Sequence, residues 1–132
     1  MSSPAQVEEH EQISRYINEK KKIRPKEGKA GYNAFMPPRT LRMSVYRTDG
    51  LDEAGVWRIA DEFVATAEKP VIARADLEAR EYLSQQLSFD PDGIPHPRHA
   101  NVIGWSDEQS FQKVIALQLA EAAVLVRKSA TS

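Results

Sequence analysis

The sequence predicts an α/β (or α+β) domain: a small three- to four-stranded sheet packed by helices, with an extra N-terminal helix. Three observations carry this expectation. Apolar and polar side chains alternate over residues 41–47, where Leu41, Met43 and Val45 interleave with Arg42, Ser44 and Tyr46. Apolar residues recur at helical spacing over residues 51–67 and again from Ser106 to about Arg127. Short strand-like runs at residues 71–73 and 99–105 stand between the helical segments, which suggests strand–helix units, parallel neighbours and right-handed crossovers, with a mixed sheet as the alternative.

Each element follows from its residues in turn. Ser3, Pro4 and Gln6 read as a helix start, because serine caps, proline suits the first turn and Gln6 holds the reciprocal capping position. The helix over about residues 4–22 has a thin apolar stripe of Val7, Ile13, Tyr16 and Ile17, which places it at the periphery or in an oligomer contact. Residues 24–31 form a polar loop, and Pro37 and Pro38 make the next stretch extended or turning. After the strand at 41–47, Thr48, Asp49 and Gly50 turn the chain into a helix with Val56, Trp57, Ala60, Phe63, Val64 and Ala67 on one face. Asp76 caps a further helix over about residues 77–87, with Leu77, Leu83 and Leu87 inward and Tyr82 beside them. The proline-rich stretch 89–98 is irregular, and Ser106 opens a long final helix whose core face is Phe111, Ile115, Leu119, Ala122 and Val126. The expected core brings together Trp57, Phe63, Val71, Ile72, Val102, Phe111, Ile115 and Leu119.

The chain of 132 residues, 41% hydrophobic and 28% charged, has the composition of one folded domain. Residues 1–31, the N-terminal helix and basic loop, precede a compact unit at 32–132. The absence of cysteine excludes disulfides, thiolate metal sites and cysteine nucleophiles. Neither a secretory leader nor a spanning segment is evident, so the expected protein is soluble and cytoplasmic. The net charge of −1 hides an asymmetry: residues 15–47 hold ten basic side chains against only Glu19 and Glu27. Such a basic third suits phosphates or an acidic partner, although Lys20, Lys21 and Lys22 also suit a solvated helix end.

The densest chemical cluster is Asp90, Asp92, His96, Arg98, His99 and Asn101. Asp92, His96 and His99 are candidate metal ligands, and the competing reading is a structured loop in which His99 and Asn101 hydrogen-bond at the strand entry. Of the two histidines, His99 is expected to be structural and His96 exposed and functional. Ser44 is the one serine within a predicted strand, and it lacks the Gly-x-Ser-x-Gly elbow of a nucleophile. No Walker or dinucleotide loop and no nucleic-acid module is present. Arg42, Arg47, Arg74 and Arg98 lie at or near strand ends, where they form a carboxylate or phosphate pocket if those ends converge. The alternative is pairing with acidic residues such as Asp49, Asp52, Asp61 and Asp76.

In residues 34–38, 41–47, 74–77 and 97–105, including Arg74-Ala75-Asp76-Leu77 and Pro97-Arg98-His99-Ala100-Asn101-Val102-Ile103-Gly104-Trp105, the chain resembles a group of small uncharacterised bacterial proteins. The resemblance spans about residues 32–126 and implies a bacterial, cytoplasmic, single-domain protein, with no activity, cofactor or site residue attached. The expected function is that of a small binding or accessory protein, recognising a partner protein or an anionic ligand through Arg42, Arg47, Arg74, His96, Arg98 and His99 and the basic N-terminal third. Defence or toxin–antitoxin machinery is a setting that fits its size. No cofactor, membrane or nucleic-acid partner is expected. The alternative is a small metal-dependent or phosphate-handling enzyme built on the His96 and His99 loop.

Overall fold

The computed structural model describes residues 5–128. Its strands are β1 (Gln12–Ile17), β2 (Ile23–Arg24), β3 (Lys29–Ala30), β4 (Met43–Arg47), β5 (Ala73–Glu78), β6 (Ser88–Asp90), β7 (His99–Ile103) and β8 (Val124–Arg127). Its α-helices are α1 (Glu53–Ile59), α2 (Ala79–Leu83) and α3 (Gln109–Ala122). Six strands form one sheet in the order β6-β7-β4-β1-β5-β8, and β2 and β3 form a small hairpin of their own. Every neighbouring pair is antiparallel.

This architecture corrects the expected one in strand number, in strand direction and at the N-terminus. The proposed helix start at Ser3 and Pro4 lies outside the described residues, but the body of that helix is β1, a central strand of the sheet. Ile13 and Ile17 point into the core while Ser14 and Tyr16 point to the opposite face, so a period of two governs. Arg15 shares the apolar face and conceals that period in the sequence. It is accommodated because its Nε donates to the Ala34 carbonyl at 3.0 Å and its Nη1 to the Ser44 carbonyl at 2.8 Å.

Two further expected helices give up residues to strands. The short strand expected at 71–73 is instead β5 over 73–78, paired along the whole of β1, so Asp76 is a strand residue and not a cap, and the helix expected at about 77–87 is only Ala79–Leu83. The final helix stops at Ala122, and β8 returns along β5 after a single residue. Ladder hydrogen bonds along a buried strand outweigh the good helix propensity of Ala73, Ala75 and Leu77.

The alternation gives the sheet two unlike faces. On the dry face Ile13, Ile17, Met43, Val45, Ala73, Ala75, Leu77, Ala100 and Val102 meet α2, α3 and the 3₁₀ turn Tyr32–Phe35. Phe35 and Tyr82 are wholly buried there, with ring centroids 6.3 Å apart. The α3 residues that reach this core are Gln112, Ala116, Leu119 and Ala120, one position round from the expected face, so Phe111 is 57% exposed. Small alanines let α3 sit close, and Gln112 is satisfied by donating to the Ser106 carbonyl at 2.7 Å. Phe63 is also outside the core, at 39% exposed, and Trp57 is only half-buried, whereas Val71, Val102 and Leu119 are buried as expected.

The opposite face carries Ser14, Tyr16, Ser44, Tyr46, Arg74, Asp76, His99 and Asn101. α1 and its continuation in one π-turn (Ala60–Val64) cover the β1 and β5 end of this face through Val56, Ile59 and Ala60. Tyr16 secures the helix by donating to the Val56 carbonyl at 2.6 Å.

Candidate functional site

The loop between β6 and β7 folds back over the polar face, and Asp92 fastens it. One Asp92 oxygen is 2.7 Å from His99 Nδ1 and accepts from the Ile94 amide at 3.2 Å; the other accepts from Asn101 Nδ2 at 2.9 Å. Burial pushes the Asp92 carboxyl up, but the hydrogen bonds from His99, Ile94 and Asn101 outweigh it and hold the group below its ordinary range. His99 is 7% exposed, and its Nε2 lies 2.7 Å from Ser44 Oγ. Asn101 stands directly opposite Ser44 in the pairing of β4 with β7. Three strand-adjacent side chains and one loop carboxylate thus form a continuous chain, Ser44–His99–Asp92–Asn101, whose outer end is the exposed Ser44.

His96 occupies the other side of Tyr46. Its Nδ1 accepts from the Arg98 amide at 3.0 Å, and its ring meets Phe63 edge-on at 4.9 Å. Burial, and then the Arg98 charge, lower its pKa from the ordinary histidine value, which favours the neutral ring at pH 7. A cleft of about 180 Å³ lies here, lined by Leu51, Arg58, Ile59, Phe63, His96 and Arg98 among others. Asp92, His96 and His99 do not form a metal-ligand set: both nitrogens of His99 and Nδ1 of His96 are engaged in hydrogen bonds. Among the described residues no three His, Asp or Glu side chains converge in a metal-holding group.

The four arginines also have separate partners. Arg42 pairs with Asp90, and Arg47 grips Glu11 through Nε at 2.9 Å and Nη2 at 2.8 Å. Arg74 is almost wholly buried, reaches Asp76 and Glu53, and packs 4.8 Å over the Trp57 ring. Arg98 donates to the carbonyls of Arg47 at 2.9 Å and Asp49 at 3.1 Å, tying the loop to the turn after β4. They stabilise four different junctions and do not converge on one anion.

A second surface lies on the far side of the core. Lys20–Lys22 form a 3₁₀ turn leading into the β2–β3 hairpin, beside the outward side of α3. Lys29 donates to the Glu121 carbonyl at 2.6 Å, and Lys113 lies 4.8 Å over the Tyr32 ring, so the basic lobe and helix form one surface. Phe111, Val114 and Leu117 are exposed on this helix at 57%, 53% and 46%. A groove of about 540 Å³ lies alongside, lined by Lys21, Arg24, Tyr32, Asn33, Leu117, Ala120 and Glu121 among others. Lys21 and Lys22 share one acid, Glu19, and Lys20 and Lys26 have no acidic partner among the described residues.

Sequence reasoning missed both arrangements for identifiable reasons. Ser44, His99 and Asp92 are brought together by strand register and a loop, which no local motif encodes. A signal was present in the alternation: Ser44 and Tyr46 on one strand, like His99 and Asn101 on another, share a period-two face. The exposed stripe of α3 was hidden because its large residues suggest the wrong inward face. No family model matches the chain, and no curated protein or solved structure matches it either.

Proposed function

We propose that this chain is a bacterial accessory protein that binds an acidic amphipathic segment of a partner protein, using the outward face of α3 and the basic lobe beside it. The observation that carries this reading is the exposed run Phe111, Val114 and Leu117 on α3, whose Leu117 end shares a groove with Lys21 and Arg24 beside Lys113. Side chains of this size gain roughly 1.5–3 kcal/mol each when fully buried, so leaving three half-exposed on one helix favours covering them. Basic groups around an apolar strip select acidic over basic partners and speed encounter more than they add affinity. No helix among the described residues is long and apolar enough to cross a membrane.

The test is affinity purification from cells that make this protein, comparing wild type with a Val114→Asp/Leu117→Asp double variant. Both substituted positions are exposed, so melting temperature should change little. A partner retained by the wild type, lost from the variant and cross-linked through an acidic segment to Lys21 or Lys113 is the expected result. Equal retention by both proteins, no retained partner, or cross-links only at the opposite sheet face would overturn the reading.

A further inference from the structure

We propose that Ser44 is a nucleophile activated by His99 and Asp92, and that the open polar face of the sheet cleaves small activated carboxylic esters. The inference rests on geometry alone and is independent of the partner surface. Ser44 Oγ lies 2.7 Å from His99 Nε2, and His99 Nδ1 lies 2.7 Å from Asp92 Oδ1. These are the nucleophile-to-base and base-to-orienting-group distances that acyl transfer through serine requires, and such relays recur on unrelated folds and in any chain order. Their polarity is also determined. An ionised Asp92 only accepts, so Nδ1 carries the proton of the neutral ring and leaves the Nε2 lone pair facing the Ser44 hydroxyl.

A purely structural hydrogen bond would have no need to end at the surface. Here the base is buried and the hydroxyl it contacts is exposed, on the part of the sheet that α1 leaves open. In the reaction, Ser44 Oγ bonds to the ester carbonyl carbon as its proton passes to His99 Nε2. The tetrahedral intermediate then collapses, and the alkoxide leaves with the proton from His99. Water attacks the acyl-serine, gives a proton to His99 and releases the carboxylic acid as Ser44 recovers its hydrogen. Asp92 stays ionised throughout and is a positioning residue. Asn101, opposite Ser44, gives one amide hydrogen to Asp92 and keeps a second for the developing oxyanion. Ser44 is exposed on the sheet face, which suits a short acyl group on a good leaving group.

The probe is a fluorophosphonate, from whose phosphorus the serine oxygen displaces fluoride, with the adduct located by peptide mass spectrometry. One adduct at Ser44 is expected, absent in Ser44→Ala and formed at least about 100-fold more slowly in His99→Gln. The groups facing His99 are Asp92 from the loop and Tyr46 from β4, with His96 beyond Tyr46. The labelling rate should therefore rise with pH, and Asp92→Asn, which removes the negative charge beside the base, should move the midpoint of that rise to lower pH. Loss of packing alone does not move it. If His99→Gln fails to fold, this pH profile decides on its own. No adduct at Ser44, equal labelling without His99, or a midpoint unmoved in Asp92→Asn would overturn the proposal.

Discussion

Tyr82 shows how a single side chain can be held by packing against its own polarity. It is 0% exposed between Phe35 and Phe89, yet its hydroxyl has no hydrogen-bond partner among the described residues. Burial pushes the phenol's pKa upward, so the neutral form is retained across ordinary pH. An unpaired buried hydroxyl costs about 1–3 kcal/mol, while the ring supplies the apolar contact. Tyr82→Phe should therefore leave the urea midpoint unchanged or raise it, because it removes the unpaired atom and keeps the shape. A fall in stability of more than about 1 kcal/mol would mean that the hydroxyl has a partner. Trp105 Nε1 is similarly without a hydrogen-bond partner among the described residues. On the polar face of the sheet polar atoms are joined, as at Ser14, whose hydroxyl is 2.7 Å from Thr48 Oγ1 and 2.6 Å from Asp76.

At the scale of elements, the segment before β1 is fastened by charge. Arg47 on β4 takes both oxygens of Glu11 and also donates to the Ala5 carbonyl at 2.6 Å and the Gln6 carbonyl at 3.3 Å. Burial raises the Glu11 pKa, but the Arg47 hydrogen bonds, the Glu8 amide and the Arg47 charge outweigh it, and the net shift is downward. The folded form thus holds the carboxylate better than the unfolded chain does. That contribution is present above the ordinary glutamate pKa of about 4.3 and is lost as pH falls below it through the folded value. Glu11→Gln should lower stability at pH 7 and flatten its decline between about pH 5 and pH 3, read as the urea midpoint against pH. Parallel curves for the two proteins would show that Glu11 takes no part in the acid response. Legibility in the sequence also varied by element. β4 and β7 were readable because apolar and polar residues alternate cleanly in them, and α1 because apolar residues recur there at helical spacing; its cap, Asp52, accepting from the Gly55 amide at 2.8 Å, went unread. β1 was masked by Arg15, β5 by its alanines, and β8 by following α3 with no glycine or proline between them. The candidate site was half-legible: the loop with Asp92, His96 and His99 stood out, whereas Ser44 joins it only through pairing across β4 and β7.

The whole molecule is an antiparallel sheet with one dry and one polar face, and its stability rests on the dry one. Six strands in the order β6-β7-β4-β1-β5-β8 put early β1 between β4 and β5, so the sheet cannot be completed until distant segments meet. Such pairing is slow to form and highly cooperative once formed. Phe35 is where the 3₁₀ turn, α2 and the sheet meet, and it is fully buried; Phe111 is equally large but 57% exposed on α3. The two phenylalanines therefore separate the structure from the alternative in which α3 turns its largest residues inward. Phe35→Ala should cost about 3–5 kcal/mol, from lost transfer energy and the cavity left behind. Against a total stability of about 5–15 kcal/mol, that is enough to leave a substantial unfolded fraction in a marginal domain. Phe111→Ala should cost no more than about 0.5 kcal/mol, as for an exposed position. Urea unfolding of the two variants under the same conditions measures both, and unchanged m-values would confirm that the folded and unfolded states remain comparable. The reverse order would mean that α3 is rotated by about one residue, with Phe111, Ile115 and Leu119 in the core and the exposed stripe no longer available to a partner.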